Sequence, residues 1–156
     1  REGQPPGSLE ELIVFNEAHH EQMMPYFGQE LFEKAQKRGS LQSEVYQDSL
    51  KECRRLSRQQ GINALMQQHG LDAFIAPTSG PAWLTDSIHG DPISIETSFT
   101  PSAVAGYPGI SVPAGFVSGL PVGISFYGSA WSETILLRCA HAFENASKAS
   151  KPPVLA

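Results

Sequence analysis

The sequence has 156 residues, of which 40% are hydrophobic and 17% are charged, as in one globular domain of ordinary size rather than a disordered chain. Its formal net charge is −5, and its 11 lysines and arginines form no dominant patch. A phosphate backbone attracts basic surfaces, so we expect no nucleic-acid partner.

The histidines and cysteines are not spaced as metal ligands. Five histidines occur, but none falls in a CxxC or HExxH pattern, so we expect no metal site. Cys53 and Cys139 could pair, but their separation favours two free thiols that act as small core residues. The chain starts at Arg1 without a signal-like apolar segment, as expected for a processed protein or an excised fragment.

The first part of the chain, residues 1–70, is charged, rich in glutamine and helical in pattern. Ser8 and Glu11 have the spacing of a capping box, which predicts a helix that starts there and stops before Pro25. A second helix is predicted over residues 27–38. The apolar residues expected to face inward on it are Leu31, Phe32 and Ala35.

A third and longer helix is predicted over about residues 44–69, from its apolar stripe. Glycine is a poor helix former, so Gly61 is a weak point in this helix. Gly70 is placed to end it.

The pattern changes after residue 70. Residues 71–78 predict a short buried strand that ends in a Pro-Thr turn. Residues 79–99 are predicted to form a loop, because prolines and glycines, Pro92 among them, interrupt this segment. Thr100 is placed to cap a short helix that Gly106 ends.

The stretch AGYPGISVPAGFVSGLPVGISFYGS, residues 105–129, is apolar enough to raise the question of a membrane span. No Asp, Glu, Lys, Arg or His lies between Thr97 and Ser132. Prolines and glycines recur every few residues, however, and they exclude a continuous helix. We therefore expect a globular interior and no membrane partner.

Two runs in this stretch, residues 109–116 and 120–127, are predicted strands of a hairpin with a short glycine-containing turn. A helix is predicted from Ser132 onward. Its inward residues are expected to be Leu136, Cys139, Ala140 and Phe143. The expected fold is α/β: a helical segment, residues 1–70, packed on a mixed sheet in a strand-rich part, residues 71–150, with a tail over residues 151–156.

Three segments carry a resemblance to a known family: DAFIAPTSGPAW, FTPSAVAGYPGISVPAGF and GLPVGISFYGSAWSETILLRCAHAFE. In their residues and in their order along the chain, they resemble the C-terminal part of amidase-signature enzymes. The GPAW and AGYP motifs are similar to the peptide-amidase branch. The resemblance implies a partial amidase-signature fold and hydrolysis of the C–N bond of a carboxamide, such as a peptide amide, without metal or cofactor.

The catalytic groups that the resemblance implies are missing from this sequence. The family uses a serine nucleophile, a second serine held by a cis peptide bond, and a buried lysine as base, with an oxyanion loop rich in glycine and serine. This chain has no Gly-Gly pair, and its five lysines lie in polar helical contexts or in the tail, where lysine stays solvated. We expect no catalytic residue here, and an inactive chain on its own.

Five residues are predicted to contact the substrate: Thr78, Ser79, Trp83, Asp86 and Thr100. The resemblance places this region near the substrate, and loops at strand ends commonly carry such contacts. Each residue also has an ordinary structural interpretation. Thr78 and Ser79 are turn residues, and Trp83 can pack on the core. Asp86 can be an exposed loop carboxylate, and Thr100 a helix cap.

Ser87, His89 and Asp91 alternate in the predicted loop and offer the residue types of a catalytic triad. Triads are assembled from separate rigid elements, so an ordinary polar loop is favoured. Tyr107 and Tyr127 are expected to be core or interface residues rather than acid–base groups.

Two functional hypotheses remain open. In the first, the chain is part of an amidase, its partner is the N-terminal catalytic portion of the same protein, and its substrate is a small-molecule or peptide amide. In the second, it is a stand-alone binding or interaction module derived from an amidase. An upstream reading frame with a glycine-serine loop would favour the first. Either way, uncovered strand edges and apolar faces predict self-association of the isolated chain.

Overall fold

The computed structural model describes residues 5–91 and 97–152. Pro92 and residues 153–156 of the predicted tail therefore lie outside the described residues. Contacts divide the chain into two compact units, Arg1–Gln47 and Asp48–Ala156. The division predicted at residue 70 stays a prediction. Within the described ranges, no helix combines the length and the apolar character needed to cross a membrane.

The first unit contains α1 (Leu9–Ala18), α2 (His20–Met23) and α3 (Glu30–Gln36). Ser8 caps α1 as predicted, because its hydroxyl accepts a hydrogen bond from the Glu11 N–H at 3.1 Å.

The prediction of one continuous helix up to Pro25 is wrong, because His19 separates α1 from α2. The His19 ring nitrogen Nδ1 lies 2.8 Å from the Phe15 carbonyl oxygen, which also accepts the His19 backbone N–H. Such local bonds between a side chain and the backbone compete with helix continuation.

A polar pair, rather than an apolar stripe, joins α1 to the start of α3. Buried Asn16 donates to Gln29 Oε1 at 3.2 Å, and Gln29 donates to the Ile13 carbonyl at 3.1 Å. Helix α3 is shorter than predicted, and within this unit Leu31 is 77% exposed and Phe32 is 42% exposed. Ala35 is exposed as well, so the inward orientation predicted for all three side chains is wrong. Gln29 makes the contact with α1 instead.

A long helical segment runs from α4 (Glu44–Arg54) through the π-helical residues Arg55–Ile62 into α5 (Asn63–His69). The weak point predicted at Gly61 is confirmed, since its φ of −108° and ψ of −111° are not helical. Gly70 then ends α5 in the left-handed conformation, with φ of 60°, as the sequence predicts.

Three strands form an antiparallel sheet in the order β1-β3-β2: β1 (Phe74–Pro77), β2 (Gly109–Val117) and β3 (Leu120–Tyr127). The predicted hairpin of β2 and β3 is confirmed. Its turn residues Ser118 and Gly119 have φ of 51° and 82°, the left-handed values that a two-residue type I′ turn requires.

One face of the sheet packs against α7 (Glu133–Ser147), and this contact forms the core of the second unit. The buried residues of the core are Val112, Phe126, Leu136 and Ala140. Cys139 and Phe143 pack against them, so the inward face predicted for α7 is confirmed. Both cysteines are free, but Cys53 is exposed, so a core position holds for Cys139 alone.

Helix α6 (Thr100–Ala105) and the helical segment from Asp48 to the end of α5 belong to the same unit of the chain as the sheet. Arg58 connects them, because its Nε donates to the Ala105 carbonyl at 2.6 Å. Its guanidinium carbon also lies 5.4 Å from the centre of the Tyr107 ring. Tyr107 in turn accepts a hydrogen bond from Asn63 at 3.0 Å, which places it at an interface between elements, as expected.

Candidate functional site

Thr78 is the first residue after β1, and three hydrogen bonds fix it in place. Its N–H donates to the Gly123 carbonyl at 2.9 Å, and its carbonyl accepts from the Ser98 N–H at 3.4 Å. Its hydroxyl oxygen lies 2.8 Å from the hydroxyl oxygen of Ser125. Thr78 therefore anchors the loop that begins at Ser79 and also the chain where it returns at Ser98.

Ser125 links Thr78 to a third hydroxyl. Its side-chain oxygen lies 2.7 Å from that of Ser111, which is its partner in the β2–β3 register. Ser125 is only 3% exposed, whereas Ser111 lies at the exposed end of this row. The strand period places Ser125 on the face opposite Phe126, but a single-strand pattern does not reveal its two partners.

Gly123 allows Thr78 to approach β3. A Cβ atom at residue 123 would lie 2.9 Å from Thr78 Oγ1, closer than such atoms can come without a shift. The second glycine of the GLPVG motif, Gly123, is thus required sterically by the close approach of Thr78.

Ser79 and Trp83 occupy the loop after Thr78. The Ser79 hydroxyl donates to the Gly80 carbonyl at 3.1 Å, as expected for a turn residue. The Trp83 indole N–H donates to Asp91 Oδ1 at 3.1 Å, and its side chain is 47% exposed. The interpretation that Trp83 packs on the core is therefore wrong, because a partner in its own loop holds the ring near solvent.

Asp86 organises the turn that follows. Its carboxylate accepts from the backbone N–H groups of Ile88 and His89 at 2.9 and 3.0 Å, and from His89 Nδ1 at 2.8 Å. Hydrogen bonds from the His89 backbone, the His89 ring and the Ile88 backbone lower the pKa of Asp86 below its usual value. Their contribution to the turn is present above the ordinary aspartate pKa and is lost as the pH falls through the lowered one.

The residues of the hypothetical triad do not come together in the required order. His89 pairs with Asp86, and Asp91 accepts from Trp83 instead. Ser87 is a turn residue in this exposed loop. The polar-loop interpretation of this segment fits the structure.

Thr100 does not cap α6 as predicted. The N-cap is Phe99, and Thr100 is already the first residue of the helix. Its hydroxyl oxygen lies 2.9 Å from that of Thr97 instead.

A largely apolar cavity of about 650 Å³ lies in the second unit, and Thr100 is part of its wall. Other wall residues include Leu56, Leu65, Phe74, Val104 and Tyr127. None of the other four predicted substrate residues lines this cavity. The structure thus groups Thr78, Ser79, Trp83 and Asp86 along one loop and places Thr100 at a separate cavity.

The groups available for metal binding or base chemistry are limited in the part of the chain that the structure describes. Within residues 5–91 and 97–152, no three His, Cys, Asp or Glu side chains cluster as metal ligands. All five lysines are exposed.

Comparison with known proteins shows what this chain is similar to. The amidase family profile matches residues 9–137. A probable amidase of Arabidopsis thaliana is 36% identical over 151 residues, which are 96% of this chain and 26% of that protein. A glutamyl-tRNA(Gln) amidotransferase subunit of Marinobacter nauticus is 40% identical over 104 residues, 65% of this chain and 21% of that protein.

Solved structures of peptide amidases superpose closely on this chain. The peptide amidase PAM in complex with the competitive inhibitor chymostatin gives a TM-score of 0.91 at 43% identity, over 97% of this chain and 31% of that one. The native peptide amidase from Stenotrophomonas maltophilia gives 0.86 at 42% identity, over 96% of this chain and 30% of that one. This chain therefore spans only about a fifth to a third of the length of these relatives.

Proposed function

The chain belongs to the amidase family, and from that premise we propose that it is the C-terminal part of an enzyme that hydrolyses the C–N bond of peptide amides. The observation that carries this proposal is the close superposition on peptide amidases along nearly the whole chain, with a TM-score of 0.91 at 43% identity. The amidotransferase relative matches a shorter stretch, 65% of the chain, so an amidotransferase role has less support than hydrolysis of peptide amides.

In this proposal the segment supplies structure and substrate contacts, and the chemistry comes from the rest of the enzyme. The three-stranded sheet and α7 extend the core, and the loop after β1 forms one wall of the substrate funnel. Trp83, half exposed on this loop, offers an apolar surface to a group beside the scissile amide. Asp86, with its lowered pKa, offers an ionised carboxylate to a cationic group or an amide N–H.

The nucleophile, the relay serine and the base are proposed to lie outside this chain. A lysine that acts as a base must be desolvated so that it is neutral, but all five lysines here are exposed. The chain also has no Gly-Gly pair for an oxyanion loop of the family type. On its own, the chain is therefore expected to bind substrate weakly at most and not to turn it over.

The first test uses the 156-residue chain alone. We expect no ammonia release from a dipeptide amide and no stoichiometric labelling by a fluorophosphonate probe, because no activated serine is present. Heat-denatured chain provides the background for both measurements. Stoichiometric labelling, or turnover that survives removal of contaminating hydrolases, would contradict the proposal.

The second test asks whether the segment functions in a complete enzyme. The matching segment of the Stenotrophomonas maltophilia peptide amidase is replaced by this chain, and hydrolysis of a dipeptide amide is measured. We expect kcat/KM within about a hundredfold of the host enzyme, a loss of at most about 2.7 kcal/mol in transition-state stabilisation. The host enzyme with the segment deleted is the control. A folded but inert chimera, together with substrate binding by the free chain, would favour the stand-alone binding module.

A further inference from the structure

Three hydroxyl groups form a continuous row across the sheet, on the face opposite the core. The row runs from Thr78 through Ser125 to Ser111, with oxygen–oxygen distances of 2.8 and 2.7 Å. It crosses from the end of β1 over β3 to β2, so each of its residues belongs to a different part of the sheet. The proposed catalytic chemistry does not use this row.

Because Ser125 is buried, leaving its hydroxyl without a hydrogen-bond partner would cost free energy. A buried hydroxyl that loses its partner keeps the cost of its desolvation, so Ser125 holds both neighbours in place. Each hydroxyl has one proton to donate and can accept twice, and the two bonds use two of the three protons. Ser111, at the exposed end, retains hydrogen-bonding capacity toward solvent.

One end of the row is Thr78, which anchors the loop after β1. The Thr78 carbonyl accepts a hydrogen bond from the Ser98 N–H, and the Thr78 N–H donates to the Gly123 carbonyl. The hydrogen bond between the Thr78 and Ser125 hydroxyls therefore helps to fix the direction in which the chain leaves β1 toward Ser79 and Trp83. A shift of Thr78 would move both ends of the loop together.

We propose that the hydroxyl row of Ser111, Ser125 and Thr78 positions the loop after β1, and thereby sets how the enzyme recognises the residue that precedes the scissile amide. Ser125 is a positioning residue in this proposal, because it acts through Thr78. The statement about the loop stands on the geometry alone, whereas the statement about recognition rests on the proposed function.

The loop statement is tested on the 156-residue chain by amide hydrogen exchange. Thr78→Val removes the hydroxyl and keeps the branched shape, whereas Thr78→Ser keeps the hydroxyl and serves as the matched control. We expect Thr78→Val to speed exchange at Ser98, Ile88 and His89 by about tenfold, with the β2–β3 amides within about twofold of the unaltered chain. Thr78→Ser is expected to stay near the unaltered rates. Unchanged loop exchange, or a uniform increase across the sheet, would overturn the proposal.

The recognition statement is tested in the chimeric enzyme with two substrates. For a dipeptide amide with a large apolar residue before the amide, we expect Ser125→Ala to raise KM about five- to tenfold and to change kcat less than about twofold. For acetylglycinamide, which lacks such a group, both constants are expected to stay within about twofold. For the apolar dipeptide amide, Thr78→Val is expected to raise KM by a similar factor, and the double variant to raise it little further, because both substitutions break the same Thr78–Ser125 hydrogen bond.

The outcomes separate this inference from the proposed function. A fall in kcat of equal size on both substrates would overturn the recognition statement, since a merely structural loss of active enzyme has that effect. An inert unaltered chimera would defeat the proposed function and with it the recognition statement. The exchange experiment would still decide whether the hydroxyl row positions the loop.

Discussion

Replacing Leu136 by alanine is expected to destabilise the second unit by about 2–5 kcal/mol. Leu136 is only 2% exposed and lies in the core with Val112, Phe126 and Ala140. The substitution removes buried methyl groups and leaves a cavity that the sheet and α7 fill only in part. Since natural domains are stable by about 5–15 kcal/mol, the loss is a large share of the total.

Urea unfolding followed by circular dichroism measures this effect, and the adjacent residue provides the control. Leu137 is on the same helix but is 58% exposed, so Leu137→Ala is expected to cost less than about 1 kcal/mol. Equal losses for Leu136→Ala and Leu137→Ala would show that α7 does not bury the face described above.

Replacing Gly61 by alanine is expected to destabilise the chain by about 2–3 kcal/mol, although alanine is the better helix former. A Cβ atom at residue 61 would lie 2.6 Å from the Leu56 carbonyl oxygen, which belongs to the backbone and cannot rotate away. Relief of this clash requires α5 to move, which disturbs buried Ile62 and the bond from Asn63 to Tyr107.

The control for Gly61→Ala is Gln60→Ala at the neighbouring exposed helical position, which is expected to change the free energy of unfolding by less than about 0.5 kcal/mol. If Gly61→Ala instead stabilised the chain by about 1 kcal/mol, the amount expected from helix propensity alone, the interruption at Gly61 would be dispensable.

The elements predicted correctly are those with signals that are local in sequence. The hairpin follows from alternating side chains and a glycine in a two-residue turn, and its left-handed φ values confirm that reason. Gly61 and Gly70 mark the interruption and the end of a helix for reasons of backbone conformation. The partial amidase-signature fold is confirmed by the superposition on peptide amidases.

The features that the sequence did not reveal depend on partners distant along the chain. The apolar pattern of α3 predicts which side could be buried, but Gln29 makes the actual contact and Leu31 remains exposed. Ser125 is a neutral small residue in its strand, and only the register with Ser111 and the end of β1 makes it the centre of a row.

The error at Thr100 has a local cause. Thr100 is predicted to be a cap because the boundary of a short helix is uncertain by one residue.

The order of the strands also constrains how the sheet assembles in time. The turn that joins β2 to β3 has two residues. In contrast, pairing of β1 with β3 brings Phe74 next to Tyr127 and closes a loop of about 50 residues. Closing that longer loop costs about 3 kcal/mol more in chain entropy, so we expect the hairpin to form first and β1 to join late. Quenched-flow exchange labelling would report earlier protection of hairpin amides than of the Ala76 amide, which faces β3, and the reverse order would contradict this route. The anchor at Thr78 would then be among the last parts of the sheet to be completed during refolding.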